Sequence, residues 1–153
     1  MEAEPLDFTS RSPAHTRRLG SRLARALCPN DVVALTGEMG AGKTTFVQGV
    51  AQGLGVPEGS VASPSFVLIR EYQGTIPLYH ADLFRLNRLP EAETVGLEEY
   101  YELGGITFIE WADRIPGVLP EQFLEVQFEV LNPKTRRLRL IFHGERYQKR
   151  SWK

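Results

Sequence analysis

One eight-residue stretch constrains the fold of this chain more than any other. It fits the phosphate-binding pattern G-x-x-x-x-G-K-[ST] at every fixed position and consists of Gly37, Glu38, Met39, Gly40, Ala41, Gly42, Lys43 and Thr44. Because glycine lacks a Cβ atom, the backbone can adopt a positive φ and approach a phosphate closely. The amide groups that open the following helix then point at the phosphate oxygens. At average residue frequencies the pattern arises by chance in about 0.5% of chains of this length.

The residues around this loop predict the elements that a phosphate site requires. Residues 31–36 form a short apolar run rich in β-branched residues, which is typical of a buried parallel strand. Apolar residues then recur on one face of a helix that ends near Gly53 and Gly55; they are Phe46, Val47, Val50, Ala51 and Leu54. Lys43 would reach the β- and γ-phosphates, and the Thr44 hydroxyl would ligate a Mg²⁺ ion that bridges them.

Composition narrows the class of protein. A chain of 153 residues is expected to form one domain, residues 1–153, around a full hydrophobic core. Its formal net charge of −1 gives no general reason to expect binding to nucleic acid or membrane. Cys28 is the only cysteine, so no intrachain disulfide can form and a reducing compartment fits. Since the chain shows neither a secretory signal nor an apolar run that could span a bilayer, we expect a soluble cytoplasmic protein.

Upstream of the loop, the chain predicts a short edge strand at residues 6–8 and then a helix. Ser12 is a good N-cap, and Pro13 suits the first helical position. The helix is expected to run from Pro13 to about Leu27 and to bury Leu19, Leu23, Ala26 and Leu27. Its basic residues are interpreted as a solvated face, with a partner-binding surface as the alternative; they are Arg11, Arg17, Arg18, Arg22 and Arg25.

The segment that follows the loop helix contains two closely spaced serines. Pro64 holds Ser63 in an extended conformation. Ser63 and Ser65 are two residues apart, so their hydroxyls would point to the same side of the chain. Two interpretations fit this spacing equally well. The segment is either a strand entry with incidental serines or a switch that senses the γ-phosphate or the metal.

A hairpin at residues 70–75 is predicted to lead into a strand at 76–82 that ends in Asp82. Open α/β sheets place their ligand crevice at the carboxyl ends of strands. Asp82 would there orient a water or the hydrated metal. A helix cap or a turn is the simpler interpretation of an isolated aspartate, and an ion pair with Arg85 is also possible. His80 is interpreted as a satisfied core histidine in preference to a catalyst.

The next apolar strand, residues 105–111, follows one or two short acidic helices predicted at 89–94 and 96–101. It ends in Glu110 and resembles a Walker B element with glutamate in place of aspartate. Beside a complete phosphate loop, Glu110 is the leading candidate for a Mg²⁺ ligand, direct or through water. Trp111 is interpreted as a packing residue.

The C-terminal part predicts an antiparallel pair, with a half-exposed strand at 123–130, a turn at 132–134 and a partner strand at 137–142. Basic residues cluster from Lys134 onward, with a C-terminal tail from about residue 143. This cluster is interpreted as a solubilising terminus, with an RNA-facing patch as the alternative. The fold class expected is therefore α/β, in three layers like a P-loop NTPase. Its central sheet is expected to be mostly parallel, with flanking helices and an antiparallel C-terminal portion.

Over nearly its whole length the chain resembles the TsaE (YjeE) family of small bacterial ATPases. Four matching segments carry the resemblance: 35–45, 63–66, 80–85 and 109–111. The first is common to phosphate-loop proteins, and the other three are specific in their order and spacing. The family usually has Gly-Asp-Leu-Gly in the loop, Ser-Pro-Thr in the switch and Asp-Leu-Tyr-Arg after the strand. This chain departs from the family at Glu38, Met39, Ser65 and Phe84.

The resemblance implies a role and a set of site residues. The family binds ATP with Mg²⁺ and acts with TsaB and TsaD to form N6-threonylcarbamoyladenosine (t6A) at adenosine 37 of tRNAs that read codons beginning with A. The tRNA is then contacted only indirectly, through the complex. The implied catalytic residues are Lys43, Asp82 and Glu110, the metal residues Thr44 and Glu110, and the switch Ser63, Pro64 and Ser65. The implied nucleotide-binding residues are those from Gly37 to Thr45, including Thr45 itself, together with Pro13 near the adenine.

Two other functions remain open on the same fold. One is a small-molecule or nucleoside kinase, which needs an acceptor pocket and a lid with arginines such as Arg85 and Arg88. The other is a nucleotide-gated binding protein that does not hydrolyse its ligand. A GTPase is disfavoured because the chain lacks the Asn-Lys-x-Asp signature for guanine, which residues 132–135 do not supply.

Overall fold

The computed structural model describes residues 3–38, 40–57, 69–83, 96–115 and 117–152. Within these ranges the strands form one seven-stranded sheet in the order β1-β7-β6-β2-β5-β4-β3. The elements are β1 (Leu6–Ser10), α1 (Pro13–Ala24), β2 (Val32–Gly37), α2 (Lys43–Gly53), β3 (Ile69–Tyr72), β4 (Leu78–Asp82), α3 (Leu97–Tyr100), β5 (Ile106–Glu110), a 3₁₀ turn (Ala112–Arg114), β6 (Phe123–Asn132), β7 (Thr135–His143) and α4 (Glu145–Gln148).

The four central strands, β6, β2, β5 and β4, are all parallel to one another. The outer strands β1, β7 and β3 pair antiparallel with their neighbours. The predicted α/β class, the parallel centre and the antiparallel C-terminal portion are therefore confirmed. Because the central strands run the same way, their carboxyl ends meet at one edge of the sheet.

Strand β2 lies at the centre of the sheet and is buried on both faces. Val33 and Leu35 face the apolar cluster built with α1 and α2. Val32 and Ala34 face a second cluster that contains the 3₁₀ turn and α3. A parallel strand covered on both sides needs a continuous apolar sequence, which is why β2 lacks the alternation of a half-exposed strand. The three-layer arrangement is confirmed by these two clusters.

Helix α1 begins as predicted, since the Ser12 hydroxyl accepts a hydrogen bond from the backbone amide of His15 at 3.0 Å and Pro13 opens the helix. It ends at Ala24, before the predicted Leu27, although Leu27 is still buried. Two glycines bring α1 and α2 together. A Cβ atom added to Gly20 would lie 2.3 Å from the carbonyl oxygen of Phe46, and one added to Gly49 would lie 2.0 Å from that of Arg17.

Two of the predicted elements fall partly or wholly outside the described residues. The helix at 89–94 lies outside them, whereas the second acidic helix is present as α3. The extended segment at 61–69 is described only at Ile69, where β3 begins. The hairpin between β3 and β4 is confirmed by antiparallel pairing that matches Tyr72 with Leu78. The predicted strand over residues 105–111 is confirmed as β5.

The C-terminal residues pack into the fold. Neither interpretation of the basic tail, as a solubilising terminus or as an RNA-facing patch, included this packing. Asp31, directly before β2, is 0% exposed, and its carboxylate accepts hydrogen bonds from the guanidinium groups of Arg146 and Arg150. The buried Tyr147 hydroxyl accepts a hydrogen bond from the amide of Val32 at 2.9 Å. Helix α4 is therefore joined to the start of the strand that carries the phosphate loop.

We expect Asp31→Ala to lower the free energy of unfolding by about 3 kcal/mol, because it leaves two arginines without their buried partner. Urea denaturation of the purified variant measures the change. Glu129→Ala is the matched control, since it breaks the Glu129–Arg137 pair, in which both side chains are largely exposed, and should cost less than about 1 kcal/mol. Equal losses in the two variants would show that the Asp31 contacts add little to stability.

Candidate functional site

The phosphate loop lies at the carboxyl end of β2, between Gly37 and the start of α2 at Lys43. Gly37 has φ +130°, and an added Cβ atom would lie 2.4 Å from the carbonyl oxygen of Phe128 on β6, so only glycine fits. Gly42, at the N-cap of α2, has φ +101°, and no side-chain hydrogen bond caps the helix in the described part of the chain. An uncapped helix N-terminus that follows a glycine-rich loop is the arrangement of an anion site.

The remaining loop residues take different positions. Glu38 is exposed, and its carbonyl oxygen accepts a hydrogen bond from the amide of the buried Ala41 at 3.2 Å. Thr45 is half-buried on the first turn of α2. Met39 lies outside the described residues.

The Lys43 side chain is folded into the loop and is 5% exposed. Its amine donates a hydrogen bond to the carbonyl oxygen of Gly37 at 2.7 Å and lies 3.7 Å from the centroid of the Trp111 ring. Burial lowers the pKa of the Lys43 amine below its ordinary value, whereas the carboxylates of Glu110, Asp113 and Asp82 oppose the shift. The ammonium is thus held by a carbonyl oxygen and by the face of an aromatic ring. An anionic ligand would add the opposite charge that these two contacts lack.

Trp111 was predicted to be a packing residue, and its ring does pack against the second apolar cluster. The structure adds the contact with Lys43, which the sequence did not indicate. Trp111 adopts φ +63°, in the left-handed region that a bulky residue seldom occupies. This backbone conformation directly follows Glu110, where the chain leaves the sheet edge. A strained residue beside a phosphate loop is typical of a functional site.

Parallel pairing brings the predicted acidic residues to the same edge. Glu110 is the register partner of Leu35 on β2 and of Asp82 on β4. Both carboxylate residues are buried. The Thr44 hydroxyl donates a hydrogen bond to Oε2 of Glu110 at 3.3 Å, so the two residues predicted to hold the metal are in contact. Nε2 of the buried His80 lies 2.5 Å from the same oxygen.

A hydroxyl and a carboxylate are oxygen ligands of the kind that Mg²⁺ takes. In the described part of the chain, no group of three or more His, Cys, Asp and Glu side chains could hold a metal ion. The residues present therefore fit a Mg²⁺ ion that draws further ligands from a nucleotide's phosphates and from water, rather than one held by the protein alone.

A cavity of about 390 Å³ lies beside the loop. Pro13 lines it together with Gly40, Gly42 and Thr45, so the N-terminal turn and the phosphate loop share one surface. The β6–β7 hairpin closes the other side, with Pro133, Lys134 and Arg136.

The sequence did not place the hairpin residues in the site, because a basic cluster carries no information about which loop it meets. Arg136 donates a hydrogen bond to the carbonyl oxygen of Gly40 at 3.4 Å and further bonds within its own hairpin. It connects the hairpin with the phosphate loop. The proposed switch residues Ser63, Pro64 and Ser65, together with Arg85, lie outside the described residues.

The sheet order, the loop and the residues at its edge define an α/β protein of the phosphate-loop NTPase type. Residues 10–138 match the family described as "Threonylcarbamoyl adenosine biosynthesis protein TsaE". The chain belongs to the TsaE family. The resemblance seen in the sequence is therefore confirmed.

Individual relatives agree with this assignment. The tRNA threonylcarbamoyladenosine biosynthesis protein TsaE of Bacillus subtilis is 37% identical over 144 residues, which cover 94% of this chain and 89% of the relative. The protein of the same name from Treponema pallidum is 40% identical over 122 residues, which cover 80% of this chain and 90% of the relative. The crystal structure of Bacillus subtilis YdiB superposes with a TM-score of 0.81 at 33% identity, covering 97% of this chain and 93% of the other.

No helix in the described ranges is long and apolar enough to cross a membrane.

We expect Lys43→Met to raise the free energy of unfolding by roughly 1 kcal/mol in the absence of nucleotide, because functional residues are often kept at the expense of stability. The folded-state pKa of Lys43 lies below its unfolded value of 10.5. Below the folded-state pKa the charged amine therefore destabilises the fold, and this penalty disappears as the pH rises towards the unfolded value. The difference in the free energy of unfolding between Lys43→Met and the wild type should therefore become smaller as the pH rises.

Urea denaturation of both proteins between about pH 8 and pH 11 measures this difference. Lys134→Met, at an exposed position, is the control and should show no pH-dependent change. A stability difference for Lys43→Met that stays constant over this range would contradict the expected destabilisation by a buried charge.

Proposed function

We propose that this chain is a Mg²⁺-dependent ATPase that acts in the formation of t6A at adenosine 37 of tRNA. One observation carries the proposal. The phosphate loop, with its buried Lys43, lies beside the hydrogen-bonded pair of Thr44 and Glu110 at the same edge of the sheet. Membership of the TsaE family, whose relatives are named for threonylcarbamoyladenosine biosynthesis, supplies the process in which such a site would work.

The nucleotide would bind with its phosphates at the N-terminus of α2 and its base in the cavity lined by Pro13 and Thr45. The amides of the loop and the Lys43 ammonium neutralise phosphate charge. The absence of the guanine signature from the sequence supports ATP over GTP. The arginines and lysine around the cavity, Arg11, Lys134 and Arg136, add positive charge near the nucleotide.

Thr44 and Glu110 would hold the Mg²⁺ ion, directly or through water. Bound there, the ion would neutralise the charge that develops on the phosphoryl oxygens during transfer. Asp82 is proposed to orient the attacking water, since it lies beside Glu110 in the register of two parallel strands and is buried at the same edge. Lys43 stabilises the charge on the transferred group.

The ATPase cycle is proposed to serve an assembly with TsaB and TsaD rather than to modify a small molecule. In this proposal Ser63, Pro64 and Ser65 report the state of the γ-phosphate to the partners, and tRNA is met only through the complex. The chemistry of threonylcarbamoyl transfer would belong to the partner subunits.

We expect Lys43→Ala and Glu110→Gln to reduce Mg²⁺-dependent phosphate release from ATP by about 100-fold or more, since each removes a group that acts on charge in the transition state. Asp82→Asn should still bind a fluorescent ATP analogue but should hydrolyse ATP with a similar loss. Lys149→Ala changes an exposed lysine in an ion pair with Glu145 and is the control. Hydrolysis that survives in Glu110→Gln would remove Glu110 from the proposed mechanism.

The proposed role in t6A formation is tested by reconstituting the modification on tRNA with the partner subunits, with and without this protein. We expect repeated turnover only with the wild-type chain, and about one round or none with Asp82→Asn, because the ATPase cycle would reset the assembly. Formation of t6A over many cycles without the protein would overturn the assigned role. Transfer of labelled phosphate from ATP to a metabolite would favour a kinase.

A further inference from the structure

His80 is a buried polar residue that the proposed mechanism does not yet use. It lies in the middle of β4, is 0% exposed, and directs Nε2 at Oε2 of Glu110 over 2.5 Å. A carboxylate oxygen only accepts hydrogen bonds, so Nε2 carries the hydrogen and donates it. The low dielectric of the protein interior makes such a bond stronger than it would be in water.

The other nitrogen of the ring argues against a purely structural role. Nδ1 is buried and has no hydrogen-bond partner among the residues that the structure describes. A buried polar atom without a partner costs stability. An apolar side chain at this position would avoid that cost. The histidine is therefore better explained by what Nε2 does to Glu110 than by packing.

Two hydrogen bonds fall on the same oxygen of Glu110. Both His80 and the Thr44 hydroxyl reach Oε2, so neither of these two bonds occupies Oε1. Two donors on one oxygen restrict the rotation of the carboxylate. The second oxygen keeps its accepting capacity for a cation or a cation-bound water.

We propose that His80 is a positioning residue for the cation of this site: it fixes Glu110 through Oε2 so that Oε1 is presented to a divalent ion that binds with the nucleotide. This inference rests on the proposed function and deepens it. Carboxylates at metal sites are commonly oriented by a hydrogen-bonded neighbour, whose loss weakens metal binding by about 10- to 100-fold.

The position of His80 on β4 links the two acidic residues of the site. His80 and Asp82 are two residues apart on one strand, so their side chains lie on the same face. Both are buried. One strand therefore supplies the group that orients the cation carboxylate and the carboxylate proposed to orient water. A shift of β4 would disturb both at once.

The test compares His80→Leu, which removes the donor, with His80→Gln, whose amide can still donate a hydrogen bond to Glu110. Thr107→Val on the neighbouring strand is the matched control, because its buried hydroxyl has no partner in the described part of the chain. Two affinities are measured for each protein. The affinity for Mn²⁺ is measured by electron paramagnetic resonance in the presence of a saturating non-hydrolysable ATP analogue. The metal-free nucleotide affinity is measured with a fluorescent ADP analogue in excess chelator.

We expect His80→Leu to weaken Mn²⁺ binding by about tenfold or more and to change metal-free nucleotide affinity by less than about twofold. His80→Gln should recover most of the Mn²⁺ affinity, and Thr107→Val should match the wild type in both measurements.

Three results would overturn the inference: unchanged Mn²⁺ affinity in His80→Leu, an equal loss of metal-free nucleotide affinity, or a glutamine variant no better than the leucine variant. In each of these the wild type still binds nucleotide and the proposed function stands. A wild-type chain that binds no nucleotide would overturn the proposed function and this inference with it.

Discussion

Parallel pairing of β2, β5 and β4 is the constraint on which the candidate site depends. The phosphate loop follows β2, Glu110 ends β5 and Asp82 ends β4. Since the three strands run in the same direction, their ends meet at one edge, and the register sets Leu35, Glu110 and Asp82 side by side. An antiparallel β5 would have sent Glu110 to the opposite edge of the sheet. The chemistry of the site is thus a consequence of strand direction.

Two buried charged residues lie at opposite ends of β2, and their charges have different kinds of partner. Asp31, before the strand, is satisfied by two arginines and a backbone amide, and these contacts join α4 to the start of β2. Lys43, after the strand, has a carbonyl and an aromatic face as its close contacts, and burial lowers its pKa. The first charge is paired within the protein, whereas we expect the second to be paired by an anion supplied from outside.

Local patterns predicted a large part of this arrangement. The loop from Gly37 to Thr44, the strand before it and the helix after it follow from glycine content and apolar periodicity, which act over a few residues. Glu110 is predicted as a metal ligand because an apolar strand that ends in an acid resembles a Walker B element when a complete phosphate loop is present, and the structure places it in contact with Thr44. The contact of Trp111 with Lys43 and the hydrogen bond from Arg136 to Gly40 were missed, because both depend on segments that are distant in sequence and carry no periodic signal.

The sequence by itself determined the class of fold and the residues predicted to bind phosphate, since short-range sterics and amphipathic spacing depend only on neighbouring residues. Only the tertiary structure decided which acid stands next to which donor. His80 was interpreted from its surroundings in the chain as a satisfied core histidine, yet Nε2 bonds to Glu110 and Nδ1 lacks a partner among the described residues. Hydrogen-bond partners across strands depend on register, which long-range packing sets and local sequence does not encode.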